Sequence, residues 1–243
     1  MKFFLFFTCA LITYSCNVLS QIPKLPKVTD NLLVNKPLTN ELTNDEVISG
    51  LKEALNVGIK NSVNLTSATD GFLKNTEIML PFPPDAIKVK EKAMALGLSG
   101  QVEKFETTLN RAAEEATKEA IPIFIDAIKN MTVQDGFAIL KGGNGAASQF
   151  FKNQTSAKLV SAFAPKVKEA TSKVKLTEYW NPIITKYNAL TLGNKIDPDL
   201  DAYITQKAID GLFIMVAKEE DKIRLDPAAR VSDILIKVFG SLK

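Results

Sequence analysis

The sequence contains no histidine, and its two cysteines, Cys9 and Cys16, both stand close to the amino terminus. A chain cut after Ser20 keeps neither thiol nor imidazole. That removes disulfide frameworks, Cys/His zinc sites, cysteine nucleophiles and serine–histidine triads from consideration. Charge of one sign is missing too. Lysine and arginine number 30 against 27 acidic residues, a net charge of +3, or +2 without Lys2. This balance offers no electrostatic footprint for nucleic acid. No apolar run approaches the roughly 20 residues a membrane span needs. No segment carries the sustained alternation of a strand, and no internal repeat is visible. What remains is 46% hydrophobic and 23% charged over 243 residues, the composition of an ordinary globular protein.

The first segment is set apart. "MKFFLFFTCALITYSCNVLSQ" opens with a lysine, runs through about a dozen apolar residues and ends in small or polar ones, the pattern of a secretory leader over residues 1–20. Two exits are compatible with it. Val18-Leu19-Ser20 before Gln21 fits cleavage by the small-residue rule. Thr13-Tyr14-Ser15 before Cys16 resembles a lipoprotein box, which would acylate Cys16 and make it a lipid anchor, the one membrane attachment the sequence offers. Thr13 stands where an aliphatic residue is usual and Tyr14 is bulky, so cleavage before Gln21 is favoured. Either exit implies export to the periplasm or cell envelope.

Residues 21–42, "QIPKLPKVTDNLLVNKPLTNEL", have three prolines and no helical period, and read as a flexible arm. Residues 43–240 read as one all-α domain, a bundle of about nine helices. Thr43-Asn44-Asp45-Glu46 is a capping box, and Ile48, Leu51, Leu55 and Ile59 follow as a core-facing stripe. The stretch 70–85, "DGFLKNTEIMLPFPPD", is expected to be a long proline-rich apolar loop laid across the body, burying Met79, Leu80 and Phe82. Pro84 can open a helix closed by Gly97, and Ser99 can cap the next, whose face is Val102, Phe105, Leu109, Ala113 and Ala116. "IFIDAIKNM" is apolar on more than half its circumference and is expected to be central. Further helices are predicted from Thr132, from Thr155 with a bend at Pro165, from Thr177 with Tyr179 and Trp180 in the core, from Asp197-Pro198 to about Leu225 as the longest, and from Asp226-Pro227 to Gly240. About 200 ordered residues can bury about 70% of their unfolded surface, so no metal or disulfide is needed to fold.

Candidate sites are few. "KGGNGAASQFF", residues 141–151, could cradle a phosphate, but Ala146 and Ala147 stand where a phosphate loop needs lysine and a hydroxyl. A turn is favoured, with Gly142 ending one helix and Asn144 capping the next. Asp197, Asp199 and Asp201 mimic the start of a calcium loop, but Ala202 and Ala208 replace its required glycine and glutamate, and capping is the simpler reading. Asp126 and Lys129 read as a surface pair. Asn64, Asn130 and Asn153 match the glycosylation triplet, a weak signal behind a bacterial-type leader. Glu219 is the polar residue that stands out, because at 100° per residue it falls on the apolar arc of the longest helix, between Ala208 and Leu212. A carboxylate there must find a partner. Arg224 and Arg230 are nearest in sequence, with Arg111 a more distant option. A structural ion pair is favoured over a functional acid.

Seven blocks, "GLKEALNVGIKNSV", "DGFLKN", "LNRAAEEA", "PIFIDAIKNMT", "ILKGGNGAA", "TSAKLVSAFAPKV" and "YITQKAIDGLFIMVAKEEDKIRLDPAAR", occur in this order between about Leu42 and Gly240. Together they resemble the bacterial envelope family known as domain of unknown function 4197. The arm and a leader ending in Ser-Gln look like proteins of the Bacteroidota. The resemblance implies an exported helical protein and brings no catalytic residues with it. Two functions compete on this basis. One is a non-catalytic envelope protein that binds a partner or an apolar ligand without a cofactor. The other is a hydrolase or lyase using Glu219 with a basic partner, which calls for an inter-helical cavity around that residue.

Overall fold

Thr43 starts the folded body as predicted: its Oγ1 accepts the Glu46 amide at 3.2 Å, and the Glu46 carboxylate accepts the Thr43 amide at 2.8 Å. The computed structural model describes residues 42–95, 97–173, 180, 185, 188–189, 195, 199–230 and 232–240. Helix α1 (Asn44–Ser67) buries the whole stripe of Ile48, Leu51, Leu55 and Ile59. A 3-10 turn, Pro84–Ala86, leads into α2 (Ile87–Ala95). Gly97 then takes φ +78°, while Leu98 N–H donates to Ala93 O and Gly97 N–H to Met94 O. These are the two bonds of a Schellman motif. Helix α3 (Ser99–Thr117) begins at Ser99 itself. Leu98 is its N-cap and gives no side-chain bond, so the predicted Ser99 cap is not formed.

After a break at Lys118 and Glu119 come α4 (Ala120–Asn130) and α5 (Val133–Lys141), the latter opened by a reciprocal Thr132–Asp135 capping box. Helix α6 runs unbroken from Ala146 to Lys173 through Pro165. Two predicted helices are therefore one. Thr155 does not open a helix. It is buried mid-helix, and its hydroxyl donates to Phe151 O at 2.7 Å, four residues back. Helix α7 (Leu200–Leu225), a second 3-10 turn (Pro227–Ala229) and α8 (Asp233–Gly240) complete the described chain. Among the described residues there are thus eight α-helices and no strand, an all-helical fold with fewer helices than the expected nine or so. The helix expected from Thr177, with Tyr179, and the Asp197-Pro198 start lie outside the described residues. Trp180 is described and is buried against Phe82 and Phe105, at ring distances of 5.7 and 5.3 Å.

The central helix is α7, packed against α1, α3 and α6. Helix α4, expected in that place, buries Ala120, Phe124, Ala127 and Ile128 against α1 and α6 and leaves its other side partly open. Its apolar excess is absorbed by one face of contact. Phe124 meets Phe151 and Phe213 edge-on at 5.1 and 5.9 Å, which joins α4, α6 and α7 in the core. The segment between α1 and the first 3-10 turn lies across the body as expected, with Phe72, Ile78, Leu80 and Phe82 buried, but Met79 turns outward at 45% exposure. Polar side chains hold it there. Asn110 accepts the Leu80 amide at 2.8 Å and donates back to its carbonyl at 3.0 Å, and Tyr203 donates to Pro81 O.

Three buried carboxylates and a candidate site

Among the described residues three glutamates are buried: Glu114 on α3, and Glu219 with Glu220 on α7. A buried carboxylate is tolerated only where donors replace its lost water, so the donors reveal what each residue does. Glu114 Oε1 accepts the amides of Phe72 and Leu73 at 3.1 and 3.2 Å, and its Oε2 meets Arg111 Nη1 at 2.6 Å. Arg111 also reaches Asp70 at 2.5 Å. The guanidinium is held more basic than usual by Glu114 first and Asp70 second. Asp70 is held below its ordinary value by bonding to Lys74 first and Arg111 second. This cluster fixes the turn after α1, where Asp70 adopts φ +68°.

Glu220 plays the same part at the start of α6. Gly145, directly before the helix, has no side chain to cap it, and the turn is built by Gly143 and Gly145 at φ +73° and +81°. Gly142 ends α5 as predicted, in right-handed geometry. Asn144 was expected to cap α6 but is exposed, and the orphan amides go elsewhere. Ala147 N–H donates to Glu220 Oε1 at 3.0 Å, and Ser148 N–H and Oγ–H both donate to Oε2 at 2.9 Å. The chain's own carboxylate fills the anion site that a helix start offers. Arg224 completes it, with Nε and Nη2 at 3.0 and 2.9 Å from Oε1 and a further bond to Ile139 O.

Glu219 is buried as projected, at 7% exposure, but none of its expected arginine partners reaches it. Arg224 stands four residues from Glu220 and five from Glu219, and only the first spacing shares a helix face. Arg230 is buried and donates to Ile223 O and Arg224 O at 3.1 and 2.8 Å, closing the carboxyl end of α7. Arg111 belongs to the Glu114 cluster. Glu219 instead accepts from Asn61 Nδ2 on α1 at 2.9 Å and has Lys222 Nζ 3.6 Å from Oε1. It lines a surface cleft of about 210 Å³ together with Asn61, Lys222, Ile223, Asp226, Ala228 and Ala229. The structure thus brings Glu219 and Lys222 together and leaves the three predicted arginines with other partners.

The remaining sequence candidates resolve as follows. Asp199 caps α7 through the Ala202 amide at 2.9 Å, and Asp201 accepts from Thr171 Oγ1 at 2.7 Å. Asp197 and Cys16 lie outside the described residues. Asp126 pairs with Lys158 across helices at 2.8 Å, not with Lys129, and chiefly for that reason its carboxyl is held below the usual range. Among the described residues no group of three or more Asp, Glu, His or Cys could hold a metal, and no helix is long and apolar enough to cross a membrane. Sequence reasoning missed Glu114 and Glu220. The signal for Glu220 was a long helix preceded directly by Gly145, which has no side chain to cap it.

Neither the curated proteins nor the solved structures include a match to this chain. A family model does match, over residues 41–240, and it spans every helix described above. The chain therefore belongs to the family described as protein of unknown function (DUF4197).

Proposed function

We propose that the chain is an exported envelope protein, of the kind found in Bacteroidota, that works as a non-catalytic binding or interaction module. The observation that carries this reading is the use of its buried acids. Glu114 and Glu220 are bonded by main-chain amides and arginine, so their charge maintains architecture. Beside Glu220 and Arg224 the bundle leaves a cavity of about 30 Å³, room for a water or two. A body filled in this way meets other molecules at its surface. The hydrolase or lyase reading needs an acid or base in a water-excluding site, whereas Glu219 and Lys222 face an open cleft that suits binding. The leader over residues 1–20 and the arm over 21–42 support export.

Native mass spectrometry of the protein purified from envelope fractions tests the proposal. The expected result is a mature chain starting at Gln21 that carries a non-covalent partner, with processing unchanged by Cys16→Ser. Fatty-acid labelling that Cys16→Ser abolishes would replace this with the lipoprotein exit. A cytoplasmic location, or turnover of a substrate that is lost in Glu219→Gln, would overturn the reading.

A further inference from the structure

The three buried glutamates differ in how fully their charge is answered. Glu114 and Glu220 each receive at least two main-chain amides and an arginine. Glu219 receives one side-chain amide, on Oε2, and a lysine that stands 3.6 Å from Oε1, beyond hydrogen-bond length. An ionised carboxylate can accept about four hydrogen bonds, so beside Asn61 and the looser Lys222 pair Glu219 has capacity for a further donor cation. Glu219 lines a surface cleft beside Lys222, which is 55% exposed. Asp226 at the rim adds a second negative charge, while Ile223, Ala228 and Ala229 form an apolar wall.

The geometry points to a binding site for an alkylammonium group, the charged head on Glu219 and Asp226 and the carbon stem along Ile223, Ala228 and Ala229. Lys222 is the chain's own occupant of this site. Its ammonium hovers over Glu219 without closing a bond, and a ligand ammonium displaces it into solvent. The larger surface hollows, about 320 Å³ between α3 and α6 and about 500 Å³ where α6 meets the start of α7, do not have a buried carboxylate in their walls. A tethered competitor acts at an effective concentration on the order of millimolar, so free amines bind the wild-type protein weakly. The inference deepens the interaction-module reading and rests on it. A free diamine and a lysine side chain of a protein partner present the same chemistry.

Amide and side-chain NMR titrations of the folded protein with butylamine, butane-1,4-diamine and Nα-acetyl-lysine amide test it, with butanol and calcium chloride as controls. Saturable shifts are expected at the Asn61 side-chain amide and the Ala228 and Ala229 backbone amides. Lys222→Met, an exposed change that leaves the core intact, should tighten amine binding about tenfold by removing the competitor, and Glu219→Gln should weaken it at least tenfold. A preference for the diamine over the lysine amide identifies a free amine as the natural occupant, and the reverse preference a basic protein segment. Equal shifts with butanol, saturation by calcium alone, or no tightening in Lys222→Met would overturn the site, even if Glu219→Gln fails to fold. A natural partner retained by Glu219→Gln would overturn the cleft while leaving the interaction-module reading intact.

Discussion

Glu219 and Glu220 are both more than nine-tenths buried, yet the donors around them differ in kind, and so should the cost of losing them. Removing Glu220 strands Arg224, 10% exposed at its side chain, together with two amides at the start of α6. Breaking a buried pair in this way costs about 3–5 kcal/mol. Removing Glu219 frees an exposed lysine and an exposed asparagine, and about 1–3 kcal/mol is expected for the lost bond. Denaturant midpoints should therefore fall further for Glu220→Ala than for Glu219→Ala, although helix projection singles out only Glu219. Projection located the apolar arc of α7 correctly and buried Glu219 as it should. It had no knowledge that the amino end of α6 lies over the edge of that arc, which is why it singled out Glu219 and not Glu220. A second residue-scale expectation concerns acid. Asp70 is held below its ordinary value by Lys74 and then Arg111. A depressed folded value gives stabilisation that is complete above the unfolded value, near pH 3.9, and lost as the pH falls through the folded one. Wild type should lose more stability than Asp70→Asn between about pH 4 and pH 2. Asparagine tolerates the left-handed backbone at φ +68°, so only the titration changes. Parallel acid-unfolding curves for the two proteins would remove Asp70 from this role.

Elements whose ends carry their own caps were legible in advance. Thr43 with Glu46, Thr132 and Gly97 all do in space what their local sequence announces, since each bond is made within three to five residues. Elements whose ends are satisfied from afar were not. Helix α6 borrows its cap from residue 220, and Thr155 inside it looked like a start because a threonine hydroxyl serves a free amide or a carbonyl four residues back equally well. The contacts of α7 with the apolar segment before α2 were also beyond local reading, and they can be tested at Gly211. A Cβ there would stand 2.6 Å from Phe72 Cε1 and 3.2 Å from Ile78 Cβ, both in the packed core, whereas one at Gly100 meets nothing within 4 Å. Gly211→Ala should lower stability by about 1–3 kcal/mol through overpacking. Gly100→Ala, near the start of α3, should raise it by about 0.4–1 kcal/mol. Thermal midpoints shifting in the same direction would show that the segment gives way around Gly211.

At the scale of the molecule, α1, α3 and α6 all lean on α7, and the polar ties follow the same plan. Glu220 reaches amides 72 and 73 residues earlier in the chain, and Glu219 reaches Asn61 across 158. A chain ending at residue 199 keeps α1 to α6 but loses the surface they share, so it is expected to be cut readily by protease where the full chain resists. A protected fragment of that length would mean that α1, α3 and α6 close on one another first. The position of α7 after the helices it gathers also sets a clock. Synthesis adds roughly 5–20 residues per second, and until α7 emerges the earlier helices have no common partner and α6 no cap. The polypeptide stays threadable until α7 is made, and that one helix decides when it stops being so.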